Sequence, residues 1–238
     1  MNLLLVGAQG SGKGTQAEKL SQALDIRHVA SGDLFRQAMA EHTSLGLRAQ
    51  AYLERGELVP DDITVAMVLE RIAQPDCLSG ILLDGFPRTL AQAQALDKNL
   101  KRLGQHIDQA IYLEVPREDL LTRLSGRYIC RAHQHVYHLV TRPPRTPGIC
   151  DIDASPLYQR SDDQGEAVEK RLDIFFNETI HLIDYYKKQH QLLTINGNQD
   201  IDQVHQDILS ALQGSEEILP WQILSPSALP SQFGSQGD

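Results

Sequence analysis

The chain has 238 residues, room for one α/β core with an insertion or small satellite domain but not for two full-sized domains. Its 31 acidic against 22 basic side chains leave a net charge of −9, which excludes a broad basic face for nucleic acid, so any polyanion it binds should be small. No apolar run reaches the length of a membrane span, Leu3–Val6 has neither a basic leader nor a cleavage site, and the three cysteines, Cys77, Cys130 and Cys150, are too few for a secreted disulfide framework; a cytoplasmic chain without membrane or nucleic-acid partners is expected.

Leu3–Val6 reads as a short buried strand, and Gln16–Leu24 has the apolar spacing of a helix. Between them lies GAQGSGKGT, Gly7 to Thr15. Glycines 7, 10, 12 and 14 let the main chain curl with its N–H groups inward, and the positive end of the following helix faces the same point. Lys13 adds a mobile ammonium, so strand, glycine loop and helix together predict a phosphate cradle. Gly14 follows the lysine where Ser or Thr is usual, displacing Thr15 by one; phosphates and water, rather than a hydroxyl, are expected to hold the Mg²⁺.

Further strands are predicted at Arg27–Ala30, Gly80–Leu83, Ala110–Val115 and Leu192–Ile195, with helical stretches between them. Such alternation implies an α/β fold with a parallel sheet covered on both faces. Ser31 to about Val59 inserts two helical stretches between consecutive strands, with Gly56 as a C-terminal stop. Asp61-Asp62 reads as a cap for Ile63–Ile72, and Pro116 with Glu118-Asp119 opens a helix to about Leu124. Gly126–Asp163 reads as irregular, carries two Cys and three His, and has the length of a lid or binding loop. From Gly214 onward Ser, Pro, Gln and Gly surround an isolated Trp221, which predicts a mobile tail.

Ile81-Leu-Leu-Asp84-Gly85-Phe86-Pro87-Arg88 places an acid at the carboxyl end of a buried strand, the edge that faces the ligand crevice of an open α/β sheet. Asp84 can orient the waters of Mg²⁺, and Arg88 can meet a phosphate with a planar fork. With GSGKGT at 10–15, SGDLFR at 31–36, LLDGFPRT at 82–89, GR at 126–127, VYH at 136–138, YQRSDD at 158–163 and the helix bearing Arg171, the chain closely resembles the adenylate kinases from Met1 to about Leu212. The resemblance implies the reaction ATP + AMP ⇌ 2 ADP with Mg²⁺. It also implies a P-loop nucleoside kinase fold, with a five-stranded parallel sheet flanked by helices. The core would comprise residues 1–29, 60–125 and 164–213, with an AMP-binding insertion at 30–59, a lid at 126–163 and a mobile tail at 214–238.

Carried over residue by residue, the resemblance gives the ATP phosphates to Gly10, Ser11, Gly12, Lys13, Gly14 and Thr15. Val136 and Tyr137 would cover the ATP adenine, with Gln199 beside it and Arg127 at the lid hinge. The AMP site would comprise Ser31, Arg36, Glu57, Leu58, Val59, Gly85, Phe86, Pro87, Arg88 and Gln92. Arg123, Arg160 and Arg171 would join Lys13 and Arg88 around the moving phosphoryl group, with Arg160 and Arg171 also reaching AMP. Phosphoryl transfer asks a protein for alignment and charge neutralisation rather than covalent chemistry, and seven cations in an acidic chain suit it. ATP, AMP and ADP are then the partners of a monomer.

Gln92 favours AMP over UMP, CMP or GMP acceptors, or a GTP-using relative, because a carboxamide both accepts from the adenine amino group and donates to a ring nitrogen. A nucleotide-binding switch is disfavoured by the lack of an Asn-Lys-x-Asp sequence. Cys130-x₂-His133 and Cys150-x₂-Asp153, separated by sixteen residues, have the spacing of two zinc knuckles, so structural Zn²⁺ is expected in the lid on these four ligands. The resemblance agrees, since many adenylate kinases carry three or four cysteines there. A metal-free, hydrogen-bonded lid and a Cys130–Cys150 disulfide are the alternatives.

Overall fold

The computed structural model of the chain describes residues 1–55, 57–160, 163 and 165–216. Five strands form one parallel sheet: β1 (Asn2–Val6), β2 (Arg27–Ala30), β3 (Ile81–Asp84), β4 (Gln109–Glu114) and, last in the chain, β8 (Leu192–Asn196), in the order β2-β3-β1-β4-β8. Both faces of β1 are apolar, as befits a central parallel strand. Leu4 and Val6 join Leu83, Leu96 and Tyr186 in one core, whereas Leu3 and Leu5 join Leu82 and Ile111 in the other. Helices α1 (Lys13–Leu24) and α9 (Ile201–Glu216) cover the second face through Ala17, Leu20, Val204 and Ile208. On the first face pack α4 (Asp61–Ile72), α5 (Leu90–Arg102), α6 (Arg117–Ser125), α7 (Gly165–Ile174) and α8 (His181–Lys188). A π-helical segment, Phe175–Thr179, joins α7 to α8.

The parallel register aligns Leu5 and Ala30 with Asp84, so the ends of β1, β2 and β3 share one edge. Two excursions leave that edge. The first holds α2 (Ser31–Ala40) and α3 (Ser44–Glu54), which build a small cluster of Phe35 and Ala49 with Val59 and Ile63. The second is a three-stranded antiparallel sheet, β5 (Arg127–Cys130) between β6 (Val136–His138) and β7 (Leu157–Tyr158), around Cys130, Tyr137 and Cys150. Its regularity differs from the irregular loop expected, because strands of two to four residues are too short to show alternation.

Three smaller expectations are corrected. Pro60, rather than Asp61-Asp62, occupies the position before α4, and both acids lie inside its first turn. Residues 214–216 continue α9 instead of beginning the tail, since one late glycine does not end a helix whose apolar face stays packed. Gly56, read as a helix stop, and residues 217–238 with Trp221 lie outside the described residues. Among those described, no helix is long and apolar enough to cross a membrane.

The contact between α2 and α3 depends on Gly46, where an added Cβ would fall 2.1 Å from the carbonyl oxygen of Ala38. Gly46→Ala should therefore force the helices apart at a cost of about 1–3 kcal/mol. Amide exchange should quicken across residues 31–54 and stay unchanged in β1 and β4. Unaltered exchange in both helices would show that α2 yields without strain.

Candidate functional site

The loop after β1 turns tightly enough to bring its own carbonyls onto its own lysine. Gly10 and Gly12 take left-handed conformations (φ 84° and 95°), and Gly12 is the residue from which α1 starts. Lys13 Nζ donates to the carbonyls of Gly7 at 2.6 Å and Ala8 at 2.8 Å. Burial lowers its pKa to about 8, with the Asp84 charge opposing and Arg88, Arg171 and Arg127 assisting. Ser11 Oγ and Gln9 Oε1 are buried without a hydrogen-bond partner among the described residues. The Ser11 hydroxyl, buried with a proton to donate at the start of α1, fits an anion, whereas the Gln9 oxygen can only accept.

A cleft of about 1730 Å³ opens over this loop, lined by the seven cations named from the sequence, Lys13, Arg36, Arg88, Arg123, Arg127, Arg160 and Arg171, and by Arg142 as an eighth. Gly10–Thr15 form its floor, and Gly85, Pro87, Glu57, Val136 and Gln199 reach its walls. Asp84 closes the floor from β3, 3.7 Å from where a Cβ on Gly14 would stand. Burial pushes the Asp84 carboxyl up, yet the His28 contact together with Lys13 and Arg88 holds it below its ordinary value. An ionised acid beside a phosphate cradle suits the waters of a bound Mg²⁺.

Ser31, Val59, Phe86 and Gln92 are buried, and Leu58 is half-buried beside them. Ser31 Oγ and Arg88 Nε both donate to the Gly85 carbonyl at 2.8 Å. Gln92 Oε1 accepts from the Arg88 main-chain N at 2.7 Å, so the strand-to-helix turn is held by the residues expected to read a nucleotide. Glu57 is ion-paired with Arg55 and, at 2.7 Å, with Lys170 of α7; these partners lower its carboxyl to about 2. On β6, alternation exposes Val136 and turns Tyr137 inward, where its hydroxyl lies 3.4 Å from Cys150 Sγ.

Each of the seven cations named from the sequence leans on an oxygen of its own chain, Lys13 and Arg88 as described above. Arg36 pairs with Asp33. Arg123 donates to the Gly197 carbonyl at 3.2 Å and to Asn198 Oδ1 at 3.0 Å. Arg127 and Arg171 share the buried Asp163, through Arg127 Nε at 2.8 Å and Arg171 Nη1 at 3.1 Å. Arg160 donates to Gln134 Oε1 at 3.1 Å.

Beside the three-stranded antiparallel sheet, one ligand atom each from Cys130, His135, Cys150 and Asp153 lies within 4.8 Å of the others. His133, expected as the fourth member, is replaced there by His135. The turn after β5 aims the His133 main-chain N–H at Cys130 Sγ and leaves its ring 68% exposed, bonded to Asp153 Oδ2 at 2.8 Å from outside. Entering β6 turns His135 inward, 3.3 Å from Cys150 Sγ. The Cys130 thiol, His133 and Ser155 hold Asp153 far below the usual carboxylate range. All three cysteines are unpaired, which removes the disulfide alternative. Two thiols, an imidazole and an ionised carboxylate at this separation fit a tetrahedral Zn²⁺.

Sequence reasoning gave no role to His135 or Asp163 and read Asp61 only as a helix cap, whereas its carboxylate bonds Gln92 at 2.7 Å. The available signals were a second histidine two residues along, the Asp-rich end of YQRSDD, and the Thr89-x-x-Gln92 spacing of a helix start.

The chain is similar to known proteins over most of its length. A family model described as adenylate kinase matches residues 5–191. The adenylate kinase of Bacillus subtilis is 49% identical over 214 residues, covering 90% of this chain and 99% of its own length. That of Carboxydothermus hydrogenoformans is 50% identical over 213 residues, covering 90% and 100%. The Bacillus velezensis enzyme is 48% identical over 214 residues, covering 90% and 99%.

Proposed function

The chain belongs to the adenylate kinase family, and from that premise we propose how its cleft carries out Mg²⁺-dependent transfer of the γ-phosphoryl of ATP to AMP. The observation that carries the assignment is that all seven cations named from the sequence line one cleft over the glycine loop. Gly10–Thr15 hold the ATP phosphates, with Lys13 exchanging its two loop carbonyls for phosphate oxygens. Ser31, Arg36, Glu57–Val59, Gly85–Arg88 and Gln92 receive AMP, and Val136, Tyr137 and Gln199 border the ATP base. Arg88, Arg123, Arg127, Arg160 and Arg171 converge between the two nucleotides.

The nucleophile is an AMP phosphate oxygen, ionised at neutral pH, so no general base is assigned. What the reaction needs is alignment of two oxygens, charge neutralisation and exclusion of water. Mg²⁺ arrives with ATP and neutralises phosphate charge; Asp84 would hold its water shell. Residues 30–59 and 126–163, each with its own small core, act as the covers that exclude water. All seven cations come from one chain, which supports action as a monomer.

A coupled assay with AMP, CMP, UMP and GMP as acceptors tests the function: AMP should be strongly preferred, and preference for another base would reassign the enzyme. Lys13→Met and Arg88→Ala should each lower kcat/KM by at least about a hundredfold, since one lost donor to a phosphoryl transition state costs roughly 3 kcal/mol. Near-normal turnover in either variant would refute its role.

The lowered Lys13 pKa predicts a pH profile. Below about 8 the free enzyme carries the ammonium; above it the charge that attracts phosphate is lost. Bound phosphate raises the pKa again, so kcat/KM for ATP should fall above pH 8 while kcat stays flatter. A kcat that fell together with kcat/KM would place the titration in the bound complex instead.

We read the lid group as a structural Zn²⁺ site of Cys130, His135, Cys150 and Asp153, with His133 supporting Asp153 from outside. Zn²⁺ supplies a cross-link to the lid and no step of the chemistry. Protein purified without an affinity metal should contain about one zinc per chain, with Cys130 and Cys150 protected until a chelator is added. His135→Ala should lose more metal than His133→Ala; the reverse order would return the ligand role to His133.

A further inference from the structure

Reading adenine with a carboxamide depends on which way that carboxamide points. A terminal amide has two orientations that differ only by exchange of oxygen and nitrogen. Gln92, on the first turn of α5, is 1% exposed and held at both atoms: Oε1 accepts from the Arg88 N–H, and Nε2 donates to Asp61 Oδ1, each at 2.7 Å. Asp61 is itself tethered, its Oδ2 accepting from Thr89 Oγ1 at 2.9 Å. The Thr89 hydroxyl in turn accepts from the Gln92 main-chain N at 3.1 Å, which closes the circuit.

Reversing the amide would set NH₂ against an N–H and oxygen against a carboxylate. Both contacts are repulsive at hydrogen-bond distance. Arg88 N–H alone would favour the observed orientation; Asp61 adds a charged acceptor that no reversed amide can satisfy. The locked amide keeps one hydrogen on Nε2 and one lone pair on Oε1 beyond these bonds. A 6-aminopurine edge, ring-nitrogen acceptor beside amino donor, matches that pair, whereas a 6-oxopurine edge presents N–H beside carbonyl and opposes it.

We propose that Asp61 is the specificity-determining positioning residue of the acceptor site: by locking Gln92 in one orientation it selects 6-aminopurine over 6-oxopurine monophosphates. The proposal rests on the AMP reading of Gln92 and deepens it. Asp61 touches no substrate and acts through the amide. The competing account makes Thr89-x-x-Gln92 a capping box serving only the start of α5. In a capping box the glutamine returns to the main-chain N–H of the cap residue itself. Here it reaches Arg88, one residue earlier, and Asp61 on another helix.

The test compares AMP and IMP as acceptors at saturating ATP, in the full chain and in Asp61→Asn, Asp61→Ala and Gln92→Leu. Asparagine offers both a donor and an acceptor, so either orientation of Gln92 finds a partner; alanine offers neither and serves as the second variant should the first fail to fold. In both Asp61 variants the AMP/IMP ratio of kcat/KM should fall at least about fivefold, the low end of what one bidentate base contact discriminates. The change should lie in the acceptor KM, with kcat for AMP within about twofold and KM for ATP unmoved. A lowered melting temperature with a wild-type AMP/IMP ratio would make Asp61 purely structural and overturn the proposal. If Gln92→Leu keeps the wild-type ratio, the AMP reading of Gln92 fails instead. Collapse of the ratio in Gln92→Leu alone leaves that reading standing and rejects the lock.

Discussion

Mutual repulsion among the eight cations lining one cleft is the constraint around which the rest of the structure is arranged. Two unit charges 4 Å apart near a protein surface repel by about 4 kcal/mol, so such a gathering needs local compensation. The chain supplies it with oxygens of its own: Asp33 for Arg36, the shared Asp163 for Arg127 and Arg171, and two loop carbonyls for Lys13. Each side chain is thereby held near the cleft. A phosphate that arrives replaces a partner instead of having to order a mobile side chain, which lessens the entropy lost on binding.

The two excursions from the sheet edge answer a different demand. Both have small cores, Phe35, Ala49, Val59 and Ile63 in one and Cys130, Tyr137 and Cys150 in the other, while the sheet carries two large ones. A small core gives low local stability, and low local stability lets a segment open and close without disturbing the strands that carry the glycine loop. The antiparallel excursion carries a second device beside its small core, four metal-competent side chains within 4.8 Å of one another.

The core was legible because buried parallel strands read as unbroken apolar runs, and because the glycine loop and Asp84–Arg88 are contiguous in the chain. Their spacing carries their geometry. Legibility fails where geometry is set across the chain. The strands of the lid pair over distances that no local pattern records, as Cys130 with Leu157 does. Spacing marks His133 as readily as His135, and only the turn into β6 decides which ring faces Cys150. Asp61 reads as a helix cap because an acid before an apolar run usually is one, yet its carboxylate serves Thr89 and Gln92, 28 and 31 residues away. Asp163 stands in a recognisable motif, but its burial between two arginines belongs to tertiary structure.

On the proposed assignment, closing the cleft is an exchange of partners, and Asp163 sets its terms. Its side chain is wholly buried and bonded to two guanidiniums. Stripping both away would leave an uncompensated buried charge, a loss of roughly 3–5 kcal/mol when a buried pair is broken. Water offers no charge to repay that loss, and one nucleotide offers less than two. Phosphates on both sides of Arg127 and Arg171 bring enough negative charge to share the guanidiniums with Asp163, so the favourable closed arrangement coincides with the presence of donor and acceptor together. The carboxylate that pairs Arg127 and Arg171 therefore also weighs against closure around ATP and water, the combination from which hydrolysis would follow.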